Sequence, residues 1–131
     1  MRVVVIHYEL PEAAALANRL RREGVDAEPC RGLGAKAFRH LRADPPDTVL
    51  IDLMRMPSYG KALGALIRET KSTRSIPLVF LEGDPEKTSR VRETFPDAVF
   101  APLARLAPAL KRAVRNRPAE PIVPDARSVP P

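Results

Sequence analysis

The sequence has very little cysteine and no long apolar run. Cys30 is the single cysteine, so no disulfide can form within the chain and nothing in its cysteine usage indicates an oxidising compartment. No apolar segment approaches the roughly 18 residues that a membrane-spanning helix needs. The apolar run at the N-terminus stops at His7, which is too short for the core of a secretion signal. We therefore expect a cytoplasmic protein that makes no contact with a membrane.

Aromatic residues are also scarce, which matters for the kind of partner that the positive charge of the chain could bind. Basic residues outnumber acidic ones by 22 to 16, and the net charge is +6. Such a balance is compatible with acidic partners or nucleic acid. The basic residues are mostly arginines scattered along a chain rich in alanine and proline, a mixture that compositional bias alone produces. With no tryptophan, two tyrosines and four phenylalanines, few rings are available for stacking on bases. Nucleic acid is the least favoured class of partner.

Short apolar segments alternate with segments of helical periodicity. The apolar segments predict strands at residues 3–6, 25–29, 48–51, 76–81 and 98–100. Helices are predicted at about 11–24, 34–42, from 63 onward, 84–95 and 103–114. Pro29 restricts the weak second strand to an edge or an end. A loop containing Pro57 and Gly60 is expected between the third strand and the third helix.

This alternation predicts the architecture. Five βα units imply a parallel sheet with helices on both faces and right-handed crossovers. We predict an α/β, flavodoxin-like three-layer sandwich with five strands in the order 2-1-3-4-5 and five helices, because that order puts the weak second strand at an edge. Ligands in such folds lie beyond the carboxyl ends of strands one and three. The residues predicted there are His7, Tyr8, Glu9 and Asp52.

The last part of the chain differs in composition from the rest. We predict a domain over residues 1–116 and a proline-rich tail over residues 117–131. The tail has no apolar periodicity and contains five prolines, at positions 118, 121, 124, 130 and 131. Such a composition favours an extended tail or a linker that is cut short.

Residues 50–60 resemble the segment of response-regulator receiver domains in which an aspartate at the end of strand three accepts a phosphoryl group. Asp52 takes the acceptor position. Gly60 follows at the family's distance, whereas Met56 and Pro57 are displaced by one residue. The resemblance implies the receiver fold over about residues 1–116.

Two further segments are similar to receivers. Residues 75–81 are similar to the fourth strand of receivers, which begins with an isoleucine and a proline, here Ile76 and Pro77. The Ala-Pro-Leu sequence at 101–103 lies where the family has a lysine, a proline and an apolar residue. The resemblance implies that Pro102 forms a structural turn and keeps the family's cis peptide bond.

The resemblance also implies that most of the phosphorylation site is degenerate. Receivers hold magnesium with two acidic residues after strand one, but His7 and Tyr8 occupy those positions and Glu9 comes one residue late. The family's hydroxyl residue is replaced by Glu82, its lysine by Ala101 and its aromatic switch residue by Ala98. A phosphoryl group on Asp52 would lack the lysine and would meet the Glu82 carboxylate, a repulsion of several kcal/mol at near contact even with an effective dielectric constant of about 20.

Several roles for these residues stay open at this point. Asp52 is either vestigial, held by backbone N–H groups or by Arg55, or an atypical acceptor. Glu82 either imitates a permanent negative charge beside Asp52 or points into solvent. His7, Glu9 and Asp52 have the ligand types of a transition-metal site, but one histidine with two carboxylates is a weak signal, and we predict no metal and no cofactor.

Three functions follow from this interpretation. The leading one is a pseudo-receiver, a non-enzymatic signalling module without catalytic residues that binds protein partners. It would act, either alone or as a homodimer, through a basic face on helix four, strand five and helix five, which includes Arg90, Arg92, Arg105, Lys111 and Arg112. The second is an atypical response regulator of a two-component phosphorelay, phosphorylated on Asp52 with magnesium held by Glu9 and Asp52. The third is a basic nucleic-acid-binding protein.

Overall fold

The computed structural model describes residues 1–124 and contains a five-stranded sheet with helices on both faces. The strands are β1 (Arg2–His7), β2 (Asp26–Arg31), β3 (Thr48–Asp52), β4 (Leu78–Leu81) and β5 (Val99–Ala101). The helices are α1 (Leu10–Arg22), α2 (Ala35–Ala43), α3 (Pro57–Glu69), α4 (Pro85–Thr94) and α5 (Leu106–Arg115), and a 3-10 turn (Leu103–Arg105) precedes α5. Residues 125–131, the end of the predicted tail with Pro130 and Pro131, lie outside the described residues.

The sheet is parallel throughout, in the order β2-β1-β3-β4-β5. This confirms the predicted flavodoxin-like sandwich and places the proline-containing β2 at an edge. Ile6 of β1 lies opposite Ile51 of β3, so the next residue of each strand, His7 and Asp52, ends at the same edge of the sheet. Because parallel neighbours end together, the fold brings these two side chains to one place.

The central strands are buried on both faces. Val49, Leu50 and Ile51 of β3 are each at most 1% exposed, because α1 and α5 cover one face and α2, α3 and α4 cover the other. Strands enclosed in this way are apolar on both sides, which explains their continuous rather than alternating apolar runs.

The expected loop before the third helix is wrong, because α3 already begins at Pro57. Proline is tolerated in the first helical turn, where its missing N–H is not needed. Gly60 lies within the helix and lets it approach β3: a Cβ atom on Gly60 would be 2.6 Å from Leu53 Cδ2 and 3.0 Å from Ile51 Cγ2. Close packing, rather than a turn, accounts for this glycine.

The first part of the tail runs back along the domain. Residues 117–124 form no helix or strand. The backbone N–H of Ile122 donates to Asp97 Oδ2 at 3.0 Å, and Arg117 Nη2 donates to the Asp47 carbonyl at 3.4 Å. Pro124 is buried. Across residues 1–124, every helix is too short or too polar to cross a bilayer.

Candidate functional site

A cluster of four polar side chains lies at the carboxyl ends of β1 and β3. His7 and Asp52 are the last residues of these strands, Glu12 lies in the first turn of α1, and Arg55 follows β3. We call these four residues the edge cluster. It occupies the crevice where the strand order reverses, the place where open α/β sheets bind ligands.

His7 is the centre of the edge cluster and is only 4% exposed. Its Nδ1 atom accepts a hydrogen bond from the backbone N–H of Glu9 at 2.9 Å. Because a backbone N–H can only donate, Nδ1 presents its lone pair and the ring proton lies on Nε2. His7 Nε2 is 3.0 Å from Glu12 Oε2 and 3.6 Å from Asp52 Oδ2. The imidazole therefore presents an N–H group to two carboxylates.

Glu12 joins the histidine to an arginine. While Oε2 faces His7, the other carboxylate oxygen, Oε1, is 2.8 Å from Arg55 Nη2. The Arg55 side chain is 62% exposed, so this outer pair contributes little to stability. The pair nevertheless affects what the site can bind, because both oxygens of Glu12 already contact donors of the same chain.

Asp52 is largely buried beside these groups, with a side chain that is 11% exposed. Its Oδ1 atom accepts the backbone N–H of Met54 at 2.8 Å. Burial raises the pKa of Asp52 above its ordinary value, and the nearby charge of Glu12 raises it further, although the Met54 hydrogen bond, His7 and Arg55 oppose the change. Desolvation of the carboxylate is the dominant effect.

The raised pKa of Asp52 predicts a pH-dependent effect of Asp52→Asn. The folded chain binds the Asp52 proton more tightly than the unfolded chain, so this group favours folding below its ordinary pKa and loses that contribution as pH rises through the raised value. We expect Asp52→Asn to increase the free energy of unfolding near neutral pH, and the gain to shrink towards about pH 4.

Urea unfolding of wild type and variant at both pH values measures this difference. Asp26→Asn is the matched control, because Asp26 is exposed at the start of β2. A variant that is less stable than wild type at neutral pH, or a gain that grows in acid, would contradict the prediction.

The edge cluster does not fit a magnesium ion. One ligand atom each from His7, Glu12 and Asp52 lies within 4.8 Å of the others, so the geometry alone would accommodate a cation. Magnesium requires oxygen ligands, but the atom that His7 presents is a protonated nitrogen. Nor does His7 suit a transition metal, because a coordinating histidine normally donates its other N–H to a neighbour, whereas Nδ1 here accepts one.

Tyr8 and Glu9 were predicted from the sequence to lie near this site. Neither supplies a carboxylate to the edge cluster. The Glu9 side chain is exposed, and its backbone forms the N-terminal cap of α1. The Tyr8 ring stacks on His7 with centroids 5.0 Å apart and meets the edge of Tyr59. The cluster thus contains Glu12 in place of Glu9 as its second carboxylate.

Glu82 pairs with an arginine of α4. Its Oε1 atom is 3.1 Å from Arg92 Nη2, and the Arg92 guanidinium lies 4.7 Å above the centroid of the Phe100 ring. The Glu82 side chain is 32% exposed. Arg92 balances the charge of Glu82, which does not favour a permanent negative charge beside Asp52, and the pair lies partly exposed to solvent.

The end of β5 carries no cation towards the site. Ala101 is 3% exposed, and its carbonyl accepts the Glu82 N–H at 2.9 Å. Pro102 forms the expected turn, and its carbonyl accepts the Arg105 N–H at 3.0 Å. The peptide bond that precedes Pro102 is trans, so the cis bond that the resemblance implied is wrong. Ala98, at the aromatic switch position, packs against the core on the α2, α3 and α4 side.

Of the five basic residues predicted to share one face, four divide between two surfaces. Arg105 and Arg112 line a shallow groove of about 440 Å³ beside Glu82 and Pro102, and Arg92 reaches the same region through Glu82. Arg90 instead lines a groove between α3 and α4. Lys111 is exposed on α5.

Comparison with known proteins identifies the fold through solved structures. No protein family model and no curated protein sequence matches the chain. The structure of a sensor protein from Polaromonas sp. JS666 superposes with a TM-score of 0.70 and 20% identity, over 89% of this chain and 98% of that one.

Two other structures carry receiver descriptions. The signal receiver domain of a signal transduction histidine kinase from Syntrophus aciditrophicus has a TM-score of 0.67 and 23% identity, over 95% of this chain and 98% of its own. A response regulator from Desulfuromonas acetoxidans has a TM-score of 0.62 and 22% identity, over 87% and 96% respectively. The chain therefore resembles response-regulator receiver domains, and at these identities the likeness establishes the fold.

Proposed function

We propose that this chain is a pseudo-receiver: a cytoplasmic, non-enzymatic signalling module that binds protein partners and does not undergo magnesium-dependent phosphorylation of an aspartate. Residues 1–116 are the receiver-like domain in this proposal, and the residues from 117 onward are its tail. The single observation that supports it most is the edge cluster, in which donors of the chain itself engage the carboxylates at the phosphorylation position.

The edge cluster supplies hydrogen-bond donors where a receiver needs a metal ion. Phosphoryl transfer to a carboxylate requires cations that neutralise the phosphate oxygens. Here His7 Nε2 lies 3.6 Å from Asp52 Oδ2, and Glu12 is bound on both oxygens. Magnesium would have to displace His7 and Arg55 before it reached two carboxylates. His7 is buried and held in place by the Glu9 N–H, so the fold keeps this donor beside Glu12 and its displacement is unfavourable.

The groups that would hold a transferred phosphoryl group are also missing. Ala101 takes the lysine's place, and Glu82 brings a carboxylate where receivers have a hydroxyl. The Arg92 partner of Glu82 belongs to α4 and is held there by its contact with Phe100. These replacements support a receiver fold that is retained for its protein-binding surfaces rather than for phosphoryl transfer.

The proposed partner surface is the face formed by α4, β5 and α5. Arg105 and Arg112 give it positive charge around a concave centre, while Arg92 balances the charge of Glu82 there. We assign to this face the binding of an acidic protein surface or of a second copy of the chain. Nucleic acid ranks last, because the scarcity of aromatic residues leaves little for bases to stack on.

A second function is an atypical phosphoacceptor in a phosphorelay. The observation in its favour is that Asp52 still ends β3, with Arg55 nearby to balance negative charge. This function needs Asp52 to react with a phosphodonor, so it is directly distinguishable from the first.

We expect no phosphorylated species when the protein is incubated with acetyl phosphate and magnesium and its intact mass is measured. The reason is that no bound metal and no lysine would neutralise the transferred group. A phosphorylation-competent receiver treated in parallel verifies the donor, and Asp52→Ala reports on the site. A phosphorylated mass that disappears in Asp52→Ala would establish the phosphoacceptor function instead. In a magnesium titration, amide NMR shifts around Asp52 that saturate at millimolar magnesium would also support the phosphoacceptor function.

A further inference from the structure

A second basic surface lies apart from both the edge cluster and the face formed by α4, β5 and α5. It is a groove of about 280 Å³ between the first half of α3 and α4, which we call the α3–α4 groove. Its walls are Pro57, Ser58, Lys61, Lys87, Arg90 and Val91. The apolar side chains come from one proline and one valine, while three of the six lining residues are cations.

The positive charge of this groove is poorly balanced. Within residues 1–124, Lys61 and Lys87 form no ion pair, and Arg90 pairs with Glu86 at 3.0 Å. Both side chains of that pair are exposed, at 68% and 79%, so water screens it strongly. Lys87 and Arg90 are three residues apart on α4 and therefore share one helix face, opposite Lys61 on α3. Three cations thus point towards one channel without a matching carboxylate on its walls.

The continuation of the groove indicates the shape of its occupant. Lys61 and Arg90 also line the next hollow along the same two helices. Glu93, Thr94 and Pro96 form a second part of its wall, and Ile122, Val123 and Pro124 form a third. These three residues are a stretch of non-helical chain. A non-helical segment of the chain therefore already lies along the lower end of α3 and α4. The upper end has three cations and no acidic residue on its walls, whereas Glu93 lines the lower end.

We propose that the upper end of the α3–α4 groove binds an extended acidic segment of a partner protein. Alternate carboxylates of the segment contact Lys61, Lys87 and Arg90, and its intervening side chains rest on Pro57, above the buried Val91. The proposal relies on the pseudo-receiver function only in that the partner is a protein. It uses no residue of the edge cluster. Absence of peptide binding would therefore leave the pseudo-receiver function intact, and phosphorylation of Asp52 would leave the peptide-binding proposal intact.

Fluorescence anisotropy with a labelled synthetic peptide tests the proposal on the full chain. The probe is an extended peptide of about ten residues that alternates glutamate or aspartate with proline and valine, long enough to lie along the groove. We expect saturable binding that weakens steeply as the salt concentration rises, because exposed charges are screened beyond about 10 Å at 0.1 M salt. The same peptide with glutamine and asparagine in place of the acids is expected not to bind.

Charge reversal locates the site. The triple variant Lys61→Glu, Lys87→Glu and Arg90→Glu is expected to weaken binding at least about tenfold, as loss of three favourable charge contacts requires. The matched control reverses the same number of charges elsewhere, with Arg22→Glu, Lys36→Glu and Arg39→Glu, which are exposed on α1 and α2, and is expected to change affinity less than about threefold. Circular dichroism confirms that both variants fold.

Three outcomes would overturn the proposal. The first is no saturable binding to the full chain, and the second is equal weakening by the two triple variants, which would indicate non-specific attraction to a basic protein. The third is binding that appears only after residues 125–131 are deleted, because the chain's own end would then be the occupant.

Discussion

Replacing Arg68 with methionine is expected to lower the free energy of unfolding by about 3–5 kcal/mol, the usual cost of removing one partner from a buried ion pair. Arg68 of α3 is 1% exposed, and its Nη1 atom donates to the carbonyls of Ile76 at 2.8 Å and Arg74 at 3.0 Å. Its Nη2 atom lies 3.7 Å from Asp97 Oδ2. Burial lowers the pKa of the guanidinium, while Asp97 opposes that change. Methionine would leave two carbonyls without their donor and Asp97 without its cationic partner.

A double variant separates the charge from the packing. Arg68→Met combined with Asp97→Asn removes both charges, so we expect it to recover part of the lost stability. The amide introduced by Asp97→Asn keeps an oxygen that can accept the Ile122 N–H, which the Asp97 carboxylate binds in the wild type. Urea unfolding measures all three proteins, with Arg39→Met on the exposed face of α2 as the control, expected within about 0.5 kcal/mol of wild type. A single variant as stable as that control would contradict the assigned role.

Replacing Gly83 with alanine is expected to lower the free energy of unfolding by about 1–3 kcal/mol, the range for overpacking a close contact. A Cβ atom at Gly83 would lie 2.5 Å from the carbonyl oxygen of Leu53 and 2.9 Å from Met54 Cα. Both are backbone atoms, and the Leu53 N–H is itself bonded to the Leu81 carbonyl at 3.0 Å. The neighbours cannot rotate away, so the loop after β3 must shift.

The consequence of Gly83→Ala should extend to the edge cluster. Met54 donates the backbone hydrogen bond that holds Asp52 Oδ1, so we expect the amide resonance of Met54 to move in NMR spectra of the variant. Gly34→Ala is the matched control, because a Cβ atom there meets open space and φ is −69°. Thermal unfolding compares the two. If Gly83→Ala unfolds at the same temperature as Gly34→Ala, the close approach does not constrain the fold.

The fold was predictable because burial on both faces leaves a direct trace in the sequence. The runs at 3–6 and 48–51 are continuous and apolar, as strands inside a three-layer sandwich must be. The position of β2 at an edge followed from Pro29. The start of α3 was mispredicted because Pro57 and Gly60 together resemble a turn, although the proline suits a first helical turn and the glycine admits β3.

The edge cluster was only half predictable. Counting along β1 identifies His7 and Tyr8, and counting along β3 identifies Asp52. Glu12 was missed because the chain reverses at Glu9, and the first turn of α1 then carries residue 12 back over the strand end. An acidic residue in the first turn of a helix that follows a buried histidine was the signal available.

Pairs that are distant in sequence left no such trace. Arg68 and Asp97 lie on different elements, and an arginine inside α3 looks like an ordinary surface residue. Whether Glu82 faces Asp52 depends on Arg92, ten residues later in the chain, and no periodicity links them. These contacts depend on how α3, α4 and the sheet are packed, which only the assembled structure specifies.

The two margins of the sheet restrict how copies of this protein can assemble. β2 carries Pro29, which has no N–H to offer a further strand. β5 at the other margin has three residues and is followed at once by Pro102. A short strand and a proline-bearing strand are the features by which natural sheets resist edge-to-edge growth and fibril formation. Self-association through added β-strands is therefore disfavoured at both margins of the sheet.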